Sequence, residues 1–180
     1  ILNHILGQKI SITPKTSQTT RNNILGIKTE GNQQMIYAYT PGMHIKSPKL
    51  MNKVLNRSAE SLMEDSDIIL FVIQRLILDE QDLSMHKKLK QIDTKVICVV
   101  NKVDQVTDKN KLLPLIERLS NEYNFLDIIP ISAINNDGIN KLENLIKKYL
   151  PENEHLYDKD SASSSHKDMF MISELIREKI

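Results

Sequence analysis

Apolar positions along the chain change period several times, and each change marks an element. In segment 1–8, Leu2, Ile5 and Leu6 recur at helical spacing, and Gly7 ends the pattern. Residues 9–21 are rich in Ser, Thr and Lys and contain Pro14, which predicts a loop. Segments 22–31 and 33–39 flank Gly31-Asn32 and predict an antiparallel strand pair. Leu50, Val54, Leu55, Leu62 and Met63 fall on one side of a helix predicted over 49–64.

Beyond residue 66, nearly continuous apolar runs alternate with amphipathic segments. The runs are 67–73 (DIILFVI), 95–100 (KVICVV) and 127–132 (DIIPIS). Helices are predicted near 80–91, 109–123 and 138–149. Strands separated in this way by helices belong to a mostly parallel sheet covered on both faces. The expected class is therefore α/β, with 95–100 central in the sheet and 20–31 paired to 33–39 on its edge. Pro151 ends the last of these helices, and the polar stretch 151–167 reads as a linker. Helical spacing resumes over 168–180, where Phe170, Ile172, Leu175, Ile176 and Ile180 are apolar. The organisation expected is a domain over 1–150, a linker over 151–167 and the opening helix of a further domain over 168–180.

Composition narrows the classes. A chain of 180 residues can bury one sizeable core, with room for the start of a second domain. At 40% apolar and 26% charged residues it is a globular chain and not a disordered one. Lys and Arg number 24 against 23 Asp and Glu, which lacks the basic excess of a stand-alone nucleic-acid binder. Cys98 is the only cysteine, so no internal disulfide forms, and its place in an apolar strand makes it a small core residue. His4, His44, His86, His155 and His166 lack metal-ligand spacing and read as surface residues, as do Lys87-Lys88 and Lys147-Lys148.

Three short motifs follow three predicted strands, at the edge where open parallel sheets bind ligands. Asn101-Lys102-Val103-Asp104 follows KVICVV. A carboxylate at that loop tip can accept hydrogen bonds from the N1–H and 2-amino group of guanine. Adenine would leave it unpaired, and sites of this kind discriminate by about 10⁴ or more. Lys102 can lay its aliphatic stem over the base, and Asn101 can tie neighbouring loops together. Ser132-Ala133 closes DIIPIS, where a small residue lets a backbone N–H approach a base oxygen. Thr40-Pro41-Gly42 follows 33–39, and the Gly42 N–H can meet a terminal phosphate. Taken singly, each could be an ordinary turn.

Taken together, these motifs resemble the base- and phosphate-contacting loops of translation-factor-type GTPases. The stretches 6–31, 124–132 and 173–180 further resemble the Era family of bacterial P-loop GTPases. The resemblance implies a Ras-like P-loop fold that binds GTP or GDP with Mg²⁺. It makes 9–21 the first switch, in which the Thr20 hydroxyl ligates Mg²⁺. It implies a role in assembly of the small (30S) ribosomal subunit, with 16S rRNA bound through a C-terminal KH domain that opens at 168–180. It also implies a cytosolic monomer with some peripheral contact at the inner membrane.

The chain departs from the family pattern in specific places. No G-x-x-x-x-G-K-[ST] occurs in the sequence, and Ile1-Leu2-Asn3 matches the helix that follows that loop, so the first strand and the P-loop are expected to be missing. Tyr39 stands before Thr40-Pro41-Gly42 where the family has an Asp that holds Mg²⁺ through water. The KH domain beyond its first helix is likewise not in the sequence. Three functions compete: a GTPase switch, a non-catalytic remnant degenerate at Tyr39 that keeps a protein- or ribosome-binding role, and an unrelated α/β binding module.

Overall fold

The structure, a computed structural model, describes residues 1–11, 24–40, 59–74, 76 and 78–158. Thr20, Gly42, the remainder of the expected 49–64 helix and the expected 168–180 helix lie outside those residues. The chain divides into two compact units, Ile1–Glu60 with Glu152–Ile180, and Ser61–Pro151.

In the first unit, α1 (Leu2–Leu6) ends at Gly7, whose φ of 68° lets its N–H turn back to the His4 carbonyl. Strands β1 (Ile24–Glu30) and β2 (Gln33–Tyr39) pair antiparallel, with Ile24 opposite Tyr39 and Glu30 opposite Gln33. The predicted turn at Gly31-Asn32 joins them, with Gly31 at φ 59°. Gly26 lies under α1: a Cβ there would overlap Leu6 Cδ1 and reach 3.0 Å from Ile10 Cδ1, so those side chains would have to shift to admit it. Asn3 fastens the chain after α1. Its Oδ1 accepts from the N–H groups of Ile10 (3.0 Å) and Ser11 (2.9 Å), and its Nδ2 donates to the Ser11 carbonyl (2.7 Å).

Residues 59–64 are helical (α2) and lead into the second unit. There β3 (Ile68–Ile73), β4 (Lys95–Val100) and β5 (Asp127–Pro130) form a parallel sheet in the order β3-β4-β5. The central place expected for 95–100 is therefore observed. Three helices alternate with the strands as expected: α3 (Glu80–Leu89), α4 (Leu112–Glu122) and α5 (Ile139–Tyr149). Helix α3 starts on a capping box, with Asp79 accepting from the Gln81 and Asp82 N–H groups and Asp82 accepting from that of Asp79.

One core packs Phe71, Ile73, Cys98 and Val100 of the sheet against Leu89 of α3 and Leu112, Leu115 and Leu119 of α4. The spacing of those α4 leucines is that of an amphipathic stripe, and truncating the fully buried Leu119 to Ala would cost about 2–5 kcal/mol. Ile97 and Val99 alternate to the other face and are fully buried, outside that core. Burial also pushes the Cys98 thiol up to about 12, with the Asp82 carboxylate adding to the effect, as befits a core residue.

The structure corrects several expectations. Among the described residues β1 and β2 ladder only with each other, in a two-stranded sheet, and the expected ladder to the parallel sheet is not found. Strands join only through ladder bonds to a neighbour about 4.8 Å away, and no described strand supplies a ladder between the two sheets. Burial on both faces holds for β4 but not for β3, where Val72 is 45% exposed. On α5, Lys147 Nζ pairs with Glu143 Oε1 at 2.9 Å, one turn away on the same helix.

His86 is also corrected. It is buried, with Tyr123 edge-on at 4.0 Å and Phe125 at 5.7 Å between ring centroids. Burial holds its pKa below the ordinary value, and Lys90 one turn further on lowers it again. The folded protein thus keeps a neutral imidazole, whereas the unfolded chain takes up a proton below about pH 6.5. The unfolded state then binds more protons, so His86 contributes stability above that pH and loses it as pH falls toward the folded value. Urea midpoints should therefore decline as pH drops below about 6.5, and His86→Phe should flatten that part of the profile.

Candidate functional site

The site is built where β4 and β5 end. The Asn101 N–H donates to the Ile73 carbonyl at 2.7 Å, carrying the β3–β4 ladder past the strand end. Lys102 then takes a left-handed conformation at φ 63°. That conformation costs a residue with a Cβ about 1–2 kcal/mol, and the neighbouring contacts hold it in place. Buried Val103 follows in a short 3₁₀ turn, and its N–H donates to the Ile131 carbonyl at 3.2 Å. The Ile131 N–H in turn donates to the Val100 carbonyl at 2.8 Å.

The second loop is shaped by residues that the sequence reading passed over. Ser132 and Asp137 exchange both backbone hydrogen bonds at 3.0 Å, closing a tight turn with Asn136 at φ 54°. Gly138 at φ 77° ends it, and a Cβ there would come within 2.9 Å of Ile131 Cγ2 and 3.0 Å of the Pro130 carbonyl oxygen. The triplet Asn136-Asp137-Gly138 is a turn signal that could have located this device. DIIPIS therefore ends as a strand at Pro130, and Ser132 belongs to the turn.

Two side-chain bonds lock the loops together. Buried Ser132 donates its Oγ–H to Asp104 Oδ1 at 2.6 Å. Asn101 Oδ1 accepts from the Ala133 N–H at 3.1 Å. The expected loop-tying role of Asn101 thus has a definite geometry. The Ala133 N–H is engaged by this bond, so reaching a base oxygen would require sharing it. Asp104 is exposed apart from the Ser132 contact, so its carboxylate is oriented from behind and open in front. A fixed, open carboxylate at a strand edge is an acceptor for paired donors.

The exposed Lys102 lies between these anchors. A cavity of about 340 Å³ opens beside the loop, lined by Gln74, Leu76, Asn101, Lys102, Thr107 and Lys111 among others, while Asp104 and Ser132 do not line it. In the first unit, Tyr39 is the last residue of β2 and is 38% exposed, with half-buried Thr40 after it. Asn101, Lys102, Asp104, Ser132 and Ala133 are thus brought into one cluster. Among the described residues, no group of three or more His, Cys, Asp or Glu side chains could hold a metal ion.

Comparison with known proteins gives this cluster a context. Residues 1–102 match the family described as 50S ribosome-binding GTPase, and residues 56–152 match the elongation factor Tu GTP-binding domain. The chain belongs to the 50S ribosome-binding GTPase family. It is 43% identical over its whole length to the GTPase Era of Marinobacter nauticus and 42% identical to that of Yersinia pestis. It spans 59% of the length of each of those relatives. A crystal structure of Era with MgGDPNP and nucleotides 1506–1542 of 16S ribosomal RNA superposes with a TM-score of 0.91 at 32% identity, over 99% of this chain and 60% of that one. Aquifex aeolicus Era bound to GDP and AlF4⁻ superposes equally well. The fold is that of a P-loop GTPase, and the resemblance to Era runs through the whole chain.

The loop-tying bond makes a direct prediction. Asn101→Ala leaves the Ala133 N–H without its partner and should cost about 1–3 kcal/mol. Asn101→Asp keeps an acceptor in place and should cost less. Denaturant unfolding measures both, and hydrogen exchange at Ala133 should quicken only in the Ala variant.

Proposed function

We propose that this chain is the guanine-nucleotide-binding part of a GTPase acting in ribosome assembly. The observation that carries the reading is the Ser132–Asp104 bond of 2.6 Å, which holds an exposed carboxylate toward the strand-end edge of the sheet. Asp104 accepts from N1–H and the 2-amino group of guanine, and Lys102 lies along the base. By the resemblance to Era, the Thr40-Pro41-Gly42 segment would meet the terminal phosphate and the Thr20 hydroxyl would hold Mg²⁺; Gly42 and Thr20 lie outside the described residues. The 180 residues contain no G-x-x-x-x-G-K-[ST] phosphate cradle, so no role in phosphate binding is assigned to such a loop. The nucleotide supplies the bond to be cleaved and Mg²⁺ offsets its charge; this chain's own residues select and orient the base.

The ribosomal part of the proposal leans on the relatives. Era has been solved with both a GTP analogue and a 16S rRNA segment. By that likeness we assign the small subunit and its rRNA as partners, engaged through residues beyond 168.

A second reading has one observation in its favour. Tyr39 stands at the exposed end of β2 where the family carries an Asp, so Mg²⁺ would lack an outer-shell carboxylate. Such a protein would bind nucleotide or ribosome without turnover.

The deciding experiment uses this chain with a strand and phosphate-binding loop of the family joined ahead of Ile1. Guanine nucleotides should outcompete adenine nucleotides for it. Asp104→Asn should weaken GTP by about 10²-fold or more and favour xanthine nucleotides, whose 2-oxo group accepts instead of donating. Unchanged nucleotide preference would reduce Asp104 to a turn residue. Phosphate release should rise further with Tyr39→Asp. Turnover already at full rate with Tyr39 in place would dismiss the second reading.

A further inference from the structure

Gln34 of β2 makes contacts that the nucleotide site does not explain. Its Nε2 donates to the Tyr157 carbonyl at 2.8 Å, and its Oε1 accepts from the Tyr157 N–H at 2.9 Å. Its Nε2 also lies 3.1 Å from Thr29 Oγ1 on the neighbouring strand. The two partners at Tyr157 are separated from Gln34 by 123 residues. A carboxamide has the donor and acceptor of a peptide group, so Gln34 pairs with residue 157 as a strand neighbour would. Both donor positions and the acceptor of this amide are thereby used, and Thr29 holds the side chain in the orientation that presents it.

This pairing occurs where the sequence gives little reason for order. Residues 151–158 contain neither helix nor strand, and Leu156 beside the contact is 79% exposed. Tyr157 is itself 37% exposed, and its backbone is held by the two bonds to Gln34. Five residues on from Gln34, β2 ends at Tyr39 and continues into Thr40.

We infer that Gln34 is a latch that pins the chain at Tyr157 to β2, so that everything following residue 158 is tethered to the strand leading into Thr40-Pro41-Gly42. The tether is independent of whether the chain binds nucleotide. Its consequence is mechanical: a displacement of β2 moves the start of the C-terminal segment, and a pull on that segment bears on β2.

The test uses the 180-residue chain. Gln34→Ala removes both bonds. Losing one net hydrogen bond of ordinary strength raises the open fraction about tenfold, so hydrogen exchange at the Tyr157 amide should accelerate by at least about that factor. Trypsin cleavage after Lys159, two residues beyond the latch, should quicken in parallel. Amides in the β1–β2 ladder should keep their protection. Tyr157→Pro offers an independent route, because proline has no N–H to donate to Oε1 while Gln34 and the hairpin stay intact. It too should speed cleavage after Lys159. If neither variant changes cleavage there, the latch is overturned. The same holds if Gln34→Ala leaves Tyr157 exchange unchanged.

Discussion

A strand closed to solvent on both faces can send its backbone N–H and C=O groups only to neighbouring strands. β4 is such a strand: residues Val96 to Val100 are no more than 8% exposed. It must therefore be paired on both edges, and β3 and β5 supply those pairs. Parallel pairing then brings the C-terminal ends of three strands to one rim. Gln74, Asn101 and Ile131-Ser132 become neighbours there because each follows its own strand. The ladder even continues past the strand ends, through Asn101 to Ile73 and Ile131 to Val100. The candidate site inherits its rigidity from this burial.

On that rim, and again in the hairpin unit, short polar side chains do the work that ladders do elsewhere. Asn3 holds Ile10 and Ser11, Asn101 holds Ala133, Ser132 holds Asp104, and Gln34 holds Tyr157. Each such bond adds only about 1 kcal/mol net, far less than the buried leucines of α4. Their effect is directional. They decide where a loop leaves its strand, which apolar packing cannot do because it carries no angular preference. This is why the left-handed Lys102 persists: Val103 is anchored by burial and by Ile131, and Asn101 by Ile73 and Ala133, so the residue between them has no freedom to relax.

Much of this was legible in the sequence, for identifiable reasons. The nearly continuous apolar runs at 67–73 and 95–100 predicted a parallel sheet with 95–100 inside it, although Val72 of the first run is exposed. The motifs at 101–104 and 132–133 were visible because their chemistry needs particular residue types. What escaped was long-range pairing. Where the hairpin ladders depends on which strand lies beside which, and periodicity does not encode neighbours. His86 was misplaced on the surface because its burial comes from Tyr123 and Phe125, which are far from it in sequence. The Gln34–Tyr157 contact left no trace, since one glutamine in a strand and one tyrosine in a polar stretch carry no pattern.

The departure at Tyr39 falls on one half of the proposed chemistry. Base selection rests on hydrogen-bond geometry, and its parts, Asp104 held by Ser132 and the loop held by Asn101, lie within a single compact unit. Phosphate binding rests on charge and on a cradle of N–H groups, whose individual donors are each worth about 10²–10³ in rate. That departure concerns the second half: in the proposed reading Tyr39 stands where a carboxylate would help to hold Mg²⁺. In the proposed reading the effect of Tyr39 would be on Mg²⁺ and turnover and not on the choice of guanine. A chain altered only there would still distinguish guanine from adenine, and a nucleotide-binding measurement would read its base site faithfully even if hydrolysis were lost.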